Sequence, residues 1–141
     1  MLLTAVQTQI RPCFKSVASA VNIREAIKQP LNLADIAFVV PVSERPLGNS
    51  RDVDVGRPLQ EMQITFGVVM GLQSINDKTG EKGLLAIEQK RLALREKLHG
   101  WIPTTEHEPI LLAASDLIAF VPNGIWWIDR FTTATWYQAQ A

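Results

Sequence analysis

The sequence lacks most of the devices by which a small protein does chemistry. It holds one cysteine, Cys13, so no disulfide can form within the chain and the fold needs no oxidising compartment. Cys13 reads as a small buried apolar residue. There are two histidines, His99 and His107. Glu106-His107-Glu108 is a run of donors, but adjacent residues in a regular element do not converge on one ion, so no metal site is expected. No Gly-x-Ser-x-Gly elbow occurs. Gly80-Glu81-Lys82-Gly83 lacks the spacing, and the Ser or Thr, of a phosphate-binding loop. Asp52 and Asp54 fall in a polar stretch and read as solvated carboxylates, not as a positioned acid–base pair. These absences argue against an enzyme and imply no cofactor.

Other scarcities narrow the class. The longest apolar runs fall well short of the ~20 residues that cross a bilayer. The start, Met1-Leu2-Leu3-Thr4-Ala5-Val6-Gln7, lacks the basic segment and long apolar run of a signal peptide, so synthesis in the cytoplasm and no membrane partner are expected. Neither charge sign is in excess: Lys plus Arg and Asp plus Glu each count 14. A nucleic-acid binder usually shows a basic excess, so sequence-specific binding to nucleic acid is not expected. A chain near neutrality repels itself little, which permits self-association. No internal repeat or low-complexity segment is visible.

What is present is the composition of a folded protein. Of 141 residues, 47% are apolar and 20% charged, enough for one domain over 1–141 with a real core. Leu2, Leu3, Val6 and Ile10 share one side of a helix that Pro12 ends. Residues 14–20 read as a short strand, and Asn22 caps a short helix over 23–28. Ile36-Ala37-Phe38-Val39-Val40 reads as a strand buried on both faces. Residues 43–58 are polar and breaker-rich and read as a long loop, a length that in compact domains is usually functional. Ile64, Phe66, Val68 and Met70 alternate with smaller or polar residues, as in a strand with one face on a core. Asn76-Asp77-Lys78-Thr79-Gly80 is a turn.

The longest helix spans about 84–99, with Gly100 as its left-handed cap and Lys97 and His99 at its negative end. Its apolar residues form two ridges. Leu84, Ile87, Leu94 and Leu98 make one, and Leu85 and Leu92 the other. Glu88, Arg91 and Arg95 lie between, with Glu88 in reach of Arg91 at i,i+3. The pattern suits either one wide buried face or one ridge for the core and one for a neighbouring subunit. Residues 116–121 then read as a strand. Pro122-Asn123-Gly124 turns the chain, and residues 125–137 return as a long strand. Trp126 and Trp127 are neighbours in that strand and point to opposite faces. Either both faces are covered, one of them by a partner, or one indole lies exposed. The order helix, strand, helix, strand, strand, helix, strand, strand indicates an α+β domain with a mixed β-sheet and helices mainly on one face.

The C-terminal half carries a resemblance. Leu94-Arg95-Glu96-Lys97-Leu98-His99-Gly100-Trp101-Ile102-Pro103 looks like the helix-to-Gly-Trp junction of phage tail terminator proteins. Pro109-Ile110-Leu111 follows as their Pro-led strand, and Gly124-Ile125-Trp126-Trp127-Ile128-Asp129-Arg130-Phe131 resembles their tryptophan hairpin. Ala37-Phe38-Val39-Val40-Pro41 matches their apolar strand that ends in proline. The resemblance implies a structural tail protein of a phage or prophage. Such a protein forms a homohexameric ring on the tail tube, stops tube polymerisation and offers a surface to head-completion proteins. It implies partners in its own copies, the tail tube protein and a head-completion or connector protein, and a place in the virion tail after assembly in the bacterial cytoplasm. Joining the residues to this role, Leu85, Leu92, Arg95, Trp126 and Trp127 are candidates for the subunit interface. Arg45, Asn49, Arg51 and Asp52 are candidates for touching the tube. Other readings are a different head–tail joining or tail-assembly protein, a small enzyme, and a nucleic-acid adaptor.

Overall fold

The computed structural model describes the backbone of residues 1–53, 57–74 and 79–138 and the side chains of 1–47, 59–74 and 79–137. The chain runs α1 (Leu2–Ile10), β1 (Val17–Ser19), α2 (Ile23–Ile27), β2 (Asp35–Val53), β3 (Arg57–Gln73), α3 (Glu81–Leu98), β4 (Leu111–Val121) and β5 (Gly124–Gln138), with a 3-10 turn, Arg11–Cys13, after α1. This is the expected order of elements. The strands form one mixed sheet, β1-β2-β3-β5-β4, in which only the β1–β2 pair is parallel. The α+β class follows from it.

Alternation along the strands makes two cores. Phe66, Val68, Met70 and Leu72 of β3 face α1 and α3, together with Ile125 and Phe131 of β5. Val69, Trp126 and Ile128 face the other way, onto Ala26 of α2, Leu31, Ile36 and Val40. Most of the helical mass covers the first face, as the fold class requires. Local chemistry sets the helix ends. The Asn22 side chain accepts a hydrogen bond from the Glu25 N–H at 3.0 Å, which caps α2. Pro12 halts α1 in the 3-10 turn. The long helix ends at His99, which turns extended at ψ 122°, and Gly100 follows it at φ 78°, the conformation favoured by glycine, with its N–H turned to the Ile110 carbonyl.

Three expectations need correction. Residues 43–58 are not a loop. Their described part belongs to the arms of a long β2–β3 hairpin, with Ser43 opposite Thr65 and Val53 opposite Arg57. The prolines that suggested a loop are tolerated because β1 reaches only Val39. Beyond that point β2 is an edge strand, and Pro41 and Pro46 need no partner for the N–H they lack. Register shifts after Pro41 and Pro46 absorb the irregular stretches. Leu84, placed on the core ridge by its spacing, is exposed, and Gly83 is buried beside Ile87, Leu94 and Leu98 instead. The last hairpin forms as expected, but its centre is Pro122-Asn123, with Val121 paired to Gly124. Of the turn expected at 76–80, residues 76–78 lie outside the described residues.

Gly124 is needed for closeness. A Cβ there would lie 2.1 Å from the Leu72 carbonyl oxygen, whereas a Cβ at Gly100 would meet open space. Gly124→Ala should therefore cost about 2–3 kcal/mol by overpacking. Gly100→Ala should cost about 1–2 kcal/mol from backbone strain alone. Urea denaturation of the two variants checks the order, and equal losses would contradict it.

Candidate functional site

α3 is fixed to the sheet along two shoulders. On the α1 side, Lys90 Nζ lies 3.2 Å from Asp35 Oδ2, donates to the Cys13 carbonyl at 2.8 Å and sits 5.5 Å from the Phe14 ring centre. Gln9 donates to the Lys97 carbonyl at 2.9 Å. Cys13 packs partly buried against the core, and burial pushes its thiol pKa up against the opposing pull of Lys97 and Lys90. The thiol stays protonated and weakly nucleophilic.

The other shoulder rests on β5. Arg91 Nε donates to Asp129 Oδ1 at 2.9 Å, and Trp127 Nε1 donates to the same oxygen at 3.1 Å. The Arg91 guanidinium lies 4.6 Å from the Trp127 ring centre. Asp129 is 1% exposed. Arg91 thus pairs with Asp129 rather than with Glu88, the partner local spacing suggested. A buried carboxylate left without its cation is costly, and that cost outweighs what an exposed i,i+3 pair contributes. Among the described residues, Asp129 Oδ2 and Arg95 Nε are buried without a hydrogen-bond partner.

This placement leaves surface uncovered. At 3.6 residues per turn, Leu84, Glu88 and Arg95 lie on the shoulder away from α1, and Leu85 and Leu92 point away from the sheet on the outer surface of the helix. Leu85 is 58% exposed and Leu92 56%. β4 lies beyond β5 as the edge strand and is exposed along most of its length. Its pairings place Leu112, Leu117 and Phe120 on the face that α3 occupies over β5. All three are exposed. Phe120 abuts Gly80 at the start of α3, where a Cβ would come within 2.5 Å of its ring. Large apolar side chains grouped in this way mark an interaction site.

At the opposite edge, on the same face, lies a cavity of about 510 Å³ lined by Leu2, Leu3, Val42, Ile64, Phe66 and Tyr137 among others. The segment after α3 closes its far side. The Gly100 N–H bonds the Ile110 carbonyl at 2.7 Å, and the Glu108 N–H bonds the Ala134 carbonyl at 2.9 Å. Thr133 and Thr135 donate to the Glu108 and Glu106 carbonyls. The Gly100-Trp101 junction is therefore the start of a strap tied across β5. His107 lies in the strap, its Nδ1 paired with the Thr104 hydroxyl. Burial pulls its pKa down; Glu106 opposes this and the chain's amino terminus adds to it.

Of the proposed interface residues, Leu85 and Leu92 lie exposed on the outer surface of α3, with Arg95 half-buried on its shoulder. Trp127 is half-buried under Arg91. Trp126 is 2% exposed, so it is no part of the surface. The cover over its face comes from α2 of the same chain, not from a partner. Arg45 is exposed and donates to Gln63 Oε1 at 2.9 Å. Asn49, Arg51 and Asp52 belong to the backbone of β2, and their side chains lie outside the described residues. The sequence reading missed the β4 residues and the cavity. Leu111-Leu112 is an apolar pair that could have extended the strand assignment, but nothing local marks β4 as an edge.

Asp129→Ala should lower the unfolding free energy by about 3 kcal/mol or more, because Arg91 loses its buried partner. Arg91→Ala combined with it should cost less than the two losses added. A urea double-mutant cycle reads both, and additive losses would contradict the coupling. For His107 the folded state favours the neutral ring. Its contribution to stability is complete above the ordinary pKa of 6.5 and is lost as pH falls from there through the lowered folded value. Denaturation midpoints in acid should fall less steeply for His107→Gln, and an unchanged slope would contradict this.

No protein of curated function matches the chain. The sequence model of the family described as phage tail terminator protein matches residues 3–139. The chain belongs to the phage tail terminator family and is a structural protein of phage tail assembly.

Proposed function

We propose that this chain caps the tail tube as a homohexameric ring, ends tube polymerisation and presents its outer surface to a head-completion protein. The observation that carries the reading is the exposed leucine pair on the outer face of α3, together with the bare β4 ledge, in a chain of this family. A cyclic ring needs a patch on each subunit that meets a different patch on the next. Leu85 and Leu92, flanked by Arg95 and Trp127, are the proposed core of one such patch. The long β2–β3 hairpin, which carries Arg45, Asn49, Arg51 and Asp52, is the proposed contact with the tube. In this reading the protein is made in the host cytoplasm and ends in the virion tail.

Leu85→Glu with Leu92→Glu should leave the protomer folded, because both side chains are exposed. It should abolish capping. Electron microscopy of growing tail tubes should show tubes of limited length with the wild-type chain and unlimited length with the variant. Wild-type protein that binds tube ends without limiting length would instead indicate another tail-assembly role.

A further inference from the structure

The two sides of β3 are paired differently. Against β5 the ladder runs without a break from Gln73 opposite Gly124 to Leu59 opposite Gln138. Against β2 the register jumps. Pro46 faces Met62 and Ser50 faces Gln60, so Leu47, Gly48 and Asn49 stand opposite Glu61 alone. The excursion lies in β2, which is an edge strand here because β1 reaches only Val39.

Outside the excursion the sheet thins. Among the described residues, β5 pairs no further out than Leu59. Arg57 and Pro58 are joined to β2 alone, opposite Val53 and Asp52. A two-stranded ribbon is marginally stable in water, and Pro58 has no N–H to add to it. The excursion also interrupts the ladder that would otherwise tie this ribbon to the three-stranded part.

One side chain spans the break. Gln60 Nε2 donates to the Leu47 carbonyl at 2.6 Å and to the Glu61 carbonyl at 3.3 Å. Leu47 begins the excursion, and Gln60 faces Ser50 at its far end. Both residues are half-buried, so a Leu47 carbonyl that lost Gln60 would be poorly solvated. A second tie, from Arg45 Nε to Gln63 Oε1 at 2.9 Å, lies inside the break, where β5 backs the ladder.

We propose that Gln60 is a latch on an outer arm, residues 50–53 and 57–60, which opens as a unit while the rest of the sheet stays folded. The latch is a property of the free protein and does not rest on the capping reading. It adds to that reading a way for the arm that carries Arg51 and Asp52 to adjust to the surface it meets.

Amide hydrogen exchange of the full chain tests the latch. Wild-type amides of the arm should exchange faster than those of Ile128, Asp129 and Arg130, with a weaker dependence on urea. Gln60→Met keeps the length of the side chain and removes the donor, and Gln60→Ala removes both. Each should speed arm exchange roughly three- to tenfold, the effect of one lost hydrogen bond. Gln63→Ala should leave arm rates unchanged, because the inner tie is intact whether the arm is open or closed. Arm amides that follow β5 at every urea concentration would show no separate unit and overturn the proposal. Acceleration by Gln60→Ala but not by Gln60→Met would reduce Gln60 to a packing residue and overturn it too, as would equal acceleration by Gln63→Ala. Tube capping is a separate readout, and Gln60→Met should cap more weakly than the wild type. Faster arm exchange with undiminished capping would support the latch and remove the hairpin from the tube contact.

Discussion

The buried carboxylate of Asp129 decides where the long helix lies. It accepts from Arg91 and from Trp127 at once, and the guanidinium also covers the Trp127 ring. The other oxygen of Asp129, Oδ2, has no hydrogen-bond partner among the described residues, so the charge rests on these two donors. A charge with 1% exposure stays in the fold only with its partner in place, so α3 is held over β5. Lys90 holds the opposite shoulder through Asp35 and the Cys13 carbonyl. Between these anchors the helix has no freedom to slide toward the edge of the sheet.

The consequence is a strand without cover. α1 and α3 occupy the face above β1, β2, β3 and β5, and among the described residues no helix lies above β4. The exposed leucines on the outer face of α3 and the apolar residues of β4 then stay uncovered on the same side of the sheet. In a monomer such an edge would be a hazard. In the assembly proposed above it is the place for the next component. The long hairpin has the same logic in reverse, since its outer edge is closed to strand addition by proline and charge.

Much of the fold was legible in the sequence. The order of elements, the Asn22 cap, the Gly100 terminus and the last hairpin follow from local rules. So does the opposite orientation of Trp126 and Trp127. What local rules could not supply was context. Pro46 reads as a breaker unless it is known that β1 stops at Val39. Glu88 is the obvious partner for Arg91 until a carboxylate from a strand 38 residues away is brought beneath it. Trp126 looked available to a partner because five residues of α2 gave no sign that they would lie across that face. For the candidate site, the exposed ridge at Leu85 and Leu92 was visible as spare apolar surface. Leu112 and the cavity across the sheet were not, because each depends on the register of strands distant in the chain.

Hydrogen–deuterium exchange of the free protein and of the protein assembled on tail tubes tests most directly whether the uncovered ledge is the assembly surface. The account predicts that amides of β4 gain protection on assembly, together with those at the cavity edge of β2, while the Asp129-anchored centre of β5 is protected in both states. Protection confined to other surfaces, with β4 exchanging equally fast before and after assembly, would contradict it.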